Sequence, residues 1–220
     1  MSDLKIIYED NHSIAVIKPG GLLVQATEKG VPNLLDEVRK YIKDKYQKPG
    51  NVFLGLVHRL DRAVSGIVVF AKTTKGASRL SEQFRNREVG KIYTALVEGH
   101  LNNDSGHLIH YLLKDETKKH ALISEEEKDG YQRSELKYVK LKEIGDDTLI
   151  EIDLLTGRFN QIRAQLSHIG YPIVGDIKYG AKTRLEDNTI CLCATELSFN
   201  QVISGEEVNL KIDFPKSWLK

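Results

Sequence analysis

The sequence has little of several features that would define its class at once. Its 220 residues include two cysteines, one methionine and one tryptophan. Two cysteines are too few for a disulfide-rich secreted framework. No apolar run approaches the roughly 18 residues of a membrane-spanning helix, and the opening MSDLKIIYED has no basic segment followed by an apolar one. These absences predict a globular protein of the cytoplasm with no membrane partner.

The few potential metal ligands are not spaced as a metal site. Cys191 and Cys193 lie two residues apart in a strand-like run, where small buried thiols are the simplest interpretation. His107 and His110 form an HxxH pair without an accompanying acidic motif. Zinc sites need further ligands at characteristic spacings. We therefore expect no metal.

Charge is balanced overall and uneven along the chain. The net charge is +1 and the pI about 7.7, values that do not by themselves indicate a nucleic-acid-binding protein. Residues 58–91 nevertheless carry eight Lys or Arg against three acids, whereas residues 121–151 carry five against nine. The basic segment is either a solvated helix face or a surface that contacts phosphates. Its overlap with the candidate site described next favours phosphates.

Residue periodicity predicts the fold class. Apolar residues recur on one face over residues 32–46, with Pro32 at the first helical position, and two more helices are expected at 75–87 and 161–168. Strand-like runs lie at 6–8, 14–18, 67–71, 92–98, 107–113, 119–124, 133–141, 148–155, 189–199 and 207–214. Because many strands follow one another directly, the chain is predicted to be an α/β (α+β) protein. Its sheet should be mixed and largely antiparallel, flanked by helices and loops, in a single domain over residues 1–220.

One segment indicates chemistry. Residues 55–72 read GLVHRLDRAVSGIVVFAK, so that Asp61 lies between Arg59 and Arg62 in a turn ahead of a buried strand. A nearby guanidinium group favours the charged form of a carboxyl group by about 1–3 pKa units. An ionised, positioned Asp can be a nucleophile or a base. The alternative is an Asp that pairs with arginine for structural reasons only.

HRLDRAVSG resembles the active-site motif of RluA-type RNA pseudouridine synthases, HRLDxxTSG, in which the Asp is catalytic. Three other segments are similar to that family's motifs in the same order: YEDN with VIKPGGL (8–22), KIY with ALVEG (91–99), and GRFNQIR with GYPIVGD and YG (157–180). The resemblance covers residues 6–215. It implies a catalytic domain with a central cleft and without the small N-terminal S4 domain that some members carry.

The resemblance also implies an activity, the conversion of uridine to pseudouridine in ribosomal or transfer RNA. The target base must leave its stack and enter a pocket, so the expected partner is an RNA stem-loop with a flipped uridine. Nothing is oxidised or reduced, and no cofactor is needed. The carboxylate of Asp61 could attack C1′, add to C6 or assist formation of a glycal, and the sequence leaves these three open.

The resemblance assigns further roles residue by residue. Tyr93 would contact the target base and move a proton, and Arg163 would pair with the catalytic Asp. Arg59 would enter the base stack in place of the flipped nucleotide. The residues expected to bind RNA are Arg59, His58, Arg62, Lys91, Arg158 and Ile162. His58 and Arg158 have structural support as an alternative role.

Two positions depart from the family pattern. Val64 replaces the usual Thr of the first motif, and Phe159-Asn160 replaces the usual Thr-His of the third. These departures leave open a second hypothesis, a non-catalytic RNA-binding or folding factor on the same scaffold, and a weaker third, a hydrolase that uses Asp61 as a base. The sequence leaves the oligomeric state open, with a monomer as the expectation.

Overall fold

The structure is a computed structural model that describes residues 4–26, 28 and 30–219. The chain forms two compact units. Unit 1 comprises residues 1–89 and 196–212, and unit 2 comprises residues 90–195 and 213–220. The predicted single domain over the whole chain stays a prediction.

Along the chain, strands often follow one another directly and seldom alternate with helices, as expected for an α+β protein. The helices are α1 (Leu34–Lys45), α2 (Thr74–Asn86) and α3 (Gln161–His168). The strands are β1 (Lys5–Glu9), β2 (Ser13–Lys18), β3 (Gly55–Leu56), β4 (Ser65–Ala71), β5 (Gly90–Glu98), β6 (Ser105–Asp115), β7 (His120–Ser124), β8 (Gln132–Ile144), β9 (Asp147–Leu154), β10 (Leu192–Asn200) and β11 (Glu207–Lys211). Within the described residues, no helix combines the length and apolarity needed to cross a membrane.

Unit 1 is built on antiparallel strands in the order β1-β2-β4, and β3 pairs with the Ala71 end of β4. β10 enters this unit at Glu196 and pairs there with β11. The apolar run of β4 is buried, as its sequence predicts, and Leu80 of α2 belongs to the same hydrophobic cluster as Ile67 and Val69. β4 is therefore a rigid strand that leads directly from the candidate catalytic turn.

Unit 2 contains five antiparallel strands in the order β5-β9-β8-β6-β7. α3 packs against β6 and β7, where Ala164 joins a buried cluster with Leu112 and Ala121. The eight strand pairings named above are antiparallel, which confirms the predicted largely antiparallel sheet.

Several predicted ends differ from the observed ones; the strand predicted over 207–214, for example, ends at Lys211. Two of the differences have local reasons. α1 begins at Leu34, not at Pro32, because the Asn33 side chain accepts a hydrogen bond from the Asp36 amide at 3.1 Å and acts as the N-cap. The strand predicted from residue 189 begins at Leu192, because the Thr189 amide donates to the Asp187 carboxylate at 3.0 Å. The two-residue strand β3 was not predicted, since it is too short to show an alternating pattern.

A partly buried ion cluster fixes the carboxyl end of α1 to the strands of unit 1. Lys45 and Lys72 each donate to the Glu9 carboxylate at 2.7 Å, and the Tyr41 and Tyr46 hydroxyls donate at 3.1 and 2.8 Å. Burial raises the pKa of Glu9, but these four hydrogen bonds outweigh it and lower the pKa to about 2. Glu9 therefore stabilises the folded unit as a carboxylate.

The depressed pKa of Glu9 predicts a specific acid sensitivity. A carboxylate whose pKa is lower in the folded protein stabilises it above the unfolded pKa, and this contribution is lost as the pH falls through the folded value. Between about pH 5 and pH 2, the free energy of unfolding of the wild type should fall by on the order of 2 kcal/mol more than that of Glu9→Gln. Urea titrations at each pH measure this difference.

Glu127→Gln, at an exposed position, is the matched control and should follow the wild type. Parallel pH profiles for the wild type and Glu9→Gln would show that Glu9 has no such role.

Candidate active site

Asp61 lies on the loop between β3 and β4. The Val64 amide donates to the Asp61 carbonyl at 3.1 Å, which closes a turn. Leu60 and Val64 are buried on either side of Asp61, which itself is partly exposed. The aliphatic Val64 side chain, at the position where the family has Thr, thus fixes the turn by packing. The predicted position of Asp61, ahead of a buried strand, is confirmed.

A buried lysine holds the backbone of this turn in place through hydrogen bonds. Lys18, at the end of β2, is fully buried and donates to the carbonyls of Pro19, Leu22 and Arg62 at 2.9, 2.8 and 3.1 Å. An ammonium group has three hydrogens, and the three carbonyls match them. Burying such a charge without partners would be very costly. Lys18 therefore joins the KPGGL segment to the residue directly after Asp61.

Arg62 reinforces the same connection. Its Nε donates to the Gly21 carbonyl at 2.9 Å, and its own carbonyl accepts from the Gly21 amide at 2.8 Å. The expectation that Arg59 and Arg62 contact the Asp61 carboxylate stays a prediction. The Nε of Arg62 is bonded to Gly21, and Arg59 is exposed to solvent.

His58 has a structural role in unit 1. Its Nε2 accepts a hydrogen bond from the Val69 amide at 2.9 Å, so that nitrogen carries no proton. The imidazole ring stacks on Phe84 of α2, with ring centroids 4.6 Å apart. These contacts support the alternative that His58 orders the loop. Its predicted contact with RNA stays a prediction.

In unit 2, β5 and β9 bring two predicted site segments together. Ile92 pairs with Asp153, so the start of β5 lies beside the end of β9 and the GRFNQIR segment that follows it. A Cβ atom at Gly157 would lie 3.9 Å from the Lys91 ammonium. Tyr93 is 9% exposed and pairs with Ile152. Lys91 and the third motif thus meet in one place.

Arg163 is held in a fixed orientation by Asp176. Its Nε and Nη2 donate to the two carboxylate oxygens of Asp176 at 2.6 and 2.7 Å, and Asp176 is 1% exposed. The guanidinium also lies over the Tyr179 ring, 4.8 Å from its centroid. A bidentate pair of this kind fixes the plane of the guanidinium group. The predicted pairing of Arg163 with Asp61 stays a prediction.

Asn160 completes this network. It adopts a left-handed backbone conformation with φ of 51°, which Asn tolerates better than most residues. Its side chain donates to the Tyr179 hydroxyl at 3.0 Å and accepts from Arg163 Nη1 at 3.4 Å. Asn160 therefore makes two hydrogen bonds at this position, but unlike the His of the family pattern it does not titrate near neutral pH.

The remaining predicted residues of the third motif differ in exposure. Arg158 is partly exposed and donates from Nε to the Arg133 carbonyl at 3.2 Å. Ile162 is 5% exposed on α3, so little of its side chain is available to a ligand. Their predicted RNA contacts stay predictions.

The cysteines and the HxxH histidines take part in packing. Cys191 and Cys193 are free thiols and buried, as predicted, and burial raises the pKa of Cys191 to about 12. His107 contacts Glu135 at 2.8 Å, whereas His110 contacts Gln165 at 2.9 Å. The two histidines are three residues apart on β6 and point to opposite faces.

Sequence reasoning missed three residues of this arrangement. Lys18, Asp176 and Tyr179 all lie in segments that match family motifs, yet no role was predicted for them. The signal available for Lys18 was a lysine at the end of an apolar strand. The requirement that its charge be buried became visible only with the structure.

Comparisons with known proteins agree with the fold and these motifs. The model of the RNA pseudouridylate synthase family matches residues 12–168. "Dual-specificity RNA pseudouridine synthase RluA" of Haemophilus influenzae is 34% identical, over 96% of this chain and 94% of that protein. "Ribosomal large subunit pseudouridine synthase D" of Zymomonas mobilis is 30% identical, over 97% of this chain and 70% of that protein.

Solved structures give the same result. Human RNA Pseudouridylate Synthase Domain Containing 4 superposes with a TM-score of 0.81 over 98% of this chain and 90% of that chain, at 23% identity, and shows the shared fold. Human RNA Pseudouridylate Synthase Domain Containing 1 gives 0.76 over 99% and 86%, at 25% identity. The chain belongs to the RNA pseudouridine synthase family, which confirms the predicted family resemblance. It is an isomerase that converts uridine to pseudouridine in RNA.

The contacts of Lys18 predict a large effect of its removal. Lys18→Met keeps the aliphatic length but removes the ammonium donor. The Arg62 carbonyl keeps its bond from the Gly21 amide, whereas the Pro19 and Leu22 carbonyls lose their ammonium partner, and unsatisfied buried groups cost about 1–3 kcal/mol each. We expect the free energy of unfolding to fall by on the order of 3 kcal/mol or more, measured by urea titration. Lys5→Met, at an exposed position of β1, is the control and should change it little. Equal stabilities for the two variants would contradict this role of Lys18.

Proposed function

We propose that Asp61 is the catalytic carboxylate of this enzyme and acts on a uridine flipped out of ribosomal or transfer RNA in the cytoplasm. The observation that carries the proposal is the construction of its turn. Asp61 is partly exposed, whereas the carbonyl of the next residue, Arg62, is bonded to the fully buried Lys18 ammonium group. An acid that is accessible on a rigid support suits catalysis, because little reorganisation is needed when substrate binds.

The isomerisation needs few chemical groups. The N1–C1′ bond breaks, the uracil turns within the site, and C5 bonds to C1′. The proton leaves C5 and N1 gains a proton, so atoms and electrons balance without any oxidant. A carboxylate near the ribose can assist by attack at C1′, by addition to C6 or by promoting elimination to a glycal. All three routes use the same Asp61 oxygen atoms.

Tyr93 and Arg163 are the other two proposed catalytic residues. Tyr93 supplies an aromatic surface for the base and a hydroxyl that can exchange a proton. Arg163 supplies a positive charge whose orientation is set by Asp176. Arg163 could stabilise negative charge on a carboxylate or on the reacting nucleotide, because its guanidinium has donors beyond the two that Asp176 accepts.

For RNA binding we propose the exposed Arg59 as the group that stacks in the space left by the flipped base. Lys91 and Arg158 supply charge at the third motif, and Arg62, His58 and Ile162 shape the surface around them. The name of the Zymomonas relative supports ribosomal RNA as substrate. The name of the Haemophilus relative supports more than one RNA target.

Release of tritium from RNA labelled at C5 of uridine tests the role of Asp61. Asp61→Asn keeps the shape of the side chain but removes its charge, and we expect the rate to fall at least about 1,000-fold, equivalent to about 4 kcal/mol of barrier. Asp129→Asn, at an exposed position, is the matched control and should retain the wild-type rate. Labelled ribosomal and transfer RNA are assayed separately, so that the same experiment reports the substrate.

Full activity of Asp61→Asn would contradict the assigned role. Activity of the wild type on neither RNA fraction would contradict the proposed substrates.

A further inference from the structure

A cavity of about 460 Å³ lies on unit 1 between α1 and the segment that leads to β3. It is lined by Arg39, Lys40, Lys43, Gly50, Asn51 and Val52. Three of these six residues are cations and none is an acid. Asn51 adds an amide that can both donate and accept hydrogen bonds. A cavity with this lining is suited to an anion.

The two lysines of the cavity are available to a ligand. Lys40 and Lys43 are exposed, and no salt bridge to either is present in the described part of the chain. Arg39 donates to Asp36 at 3.1 Å, so its charge is partly compensated. Like charges three or four residues apart on a helix repel each other. An anion bound in the cavity would relieve that repulsion.

An exposed aromatic ring directly follows the cavity lining in the sequence. Phe53 follows the lining residue Val52 and is 47% exposed, which is unusual for an apolar ring of this size. Cations combined with an accessible aromatic ring are typical of surfaces that bind single-stranded nucleic acid, where the ring stacks on a base. The ring distinguishes this surface from an ordinary solvated helix face.

The cavity is held on a rigid support. The carboxyl end of α1 is fixed by the Glu9 cluster, through Tyr41, Lys45 and Tyr46. On the other side, Gly55 of β3 pairs with Ala71 of β4, only a few residues after Val52. Both walls are therefore tied to the same end of β4.

Asp61 belongs to the opposite end of that strand. β4 runs from Ser65, four residues after Asp61, to Ala71. Seven residues of strand span about 20 Å. A ligand in the cavity is therefore distant from the reacting nucleotide and must belong to another part of the RNA.

We propose that the cavity of Arg39, Lys40 and Lys43 is a second RNA-binding site, which takes a backbone phosphate of the substrate away from the flipped uridine, with Phe53 beside a neighbouring base. This inference rests on the proposed function only in taking RNA as the substrate. The site increases affinity for RNA and has no part in the chemical step.

The test measures binding of fluorescently labelled bulk transfer RNA at several salt concentrations, from about 50 to 200 mM. Lys40→Gln/Lys43→Gln removes two phosphate contacts, so the slope of log K against log salt should become shallower by about 1.4, at about 0.7 per contact. Affinity at the lowest salt should fall about tenfold. Lys137→Gln/Lys142→Gln removes the same charge from exposed positions of β8 and should behave as the wild type.

Equal slopes for the two double variants would overturn the proposal. It would also be overturned if the cavity bound inorganic phosphate saturably while Lys40→Gln/Lys43→Gln left the RNA slope unchanged, because the ligand would then be a free phosphate. This test measures RNA binding and not catalysis. A wild type that released no tritium would contradict the catalytic proposal, and the salt slopes would still test the second RNA-binding site.

Discussion

A buried positive charge is the constraint on which the candidate site depends. The Lys18 ammonium is out of contact with water, and its hydrogens are directed at three carbonyls from two separate segments of the chain. Those segments cannot move apart without leaving a charge and several polar groups unsatisfied in the interior. Asp61 immediately precedes one of these carbonyl-bearing residues, so its backbone position is set by an interaction that does not involve its own side chain.

The fold was largely predictable because its strands are long and strongly patterned. The apolar run of β4 and the alternation along β8 each have one consistent interpretation, and both are strands in the structure. The ends of helices and strands were predicted less well where a side chain, and not the backbone, accepts the hydrogen bond of an amide near that end. Asn33 moved the start of α1, and Asp187 delayed the start of β10. Such hydrogen bonds depend on local geometry that composition and periodicity do not encode.

Motifs proposed the members of the candidate site, Asp61, Tyr93 and Arg163, but they did not indicate which distant residues hold the surrounding side chains. Arg62 donates from Nε to the carbonyl of Gly21, 41 positions away. Asp176 likewise acts on Arg163 from 13 residues further along the chain. Partners of this kind are chosen by the tertiary fold, so sequence proximity is a poor guide to them.

Hydrogen exchange of individual backbone amides tests the role of Lys18 most directly. The Gly21 amide donates to the Arg62 carbonyl and the Val64 amide closes the Asp61 turn. In Lys18→Met, both should exchange at least about tenfold faster relative to the Val16 amide in the middle of β2, because the loop would open locally. Unchanged relative exchange of Gly21 and Val64 would contradict the account, since the turn would then be ordered without the buried charge.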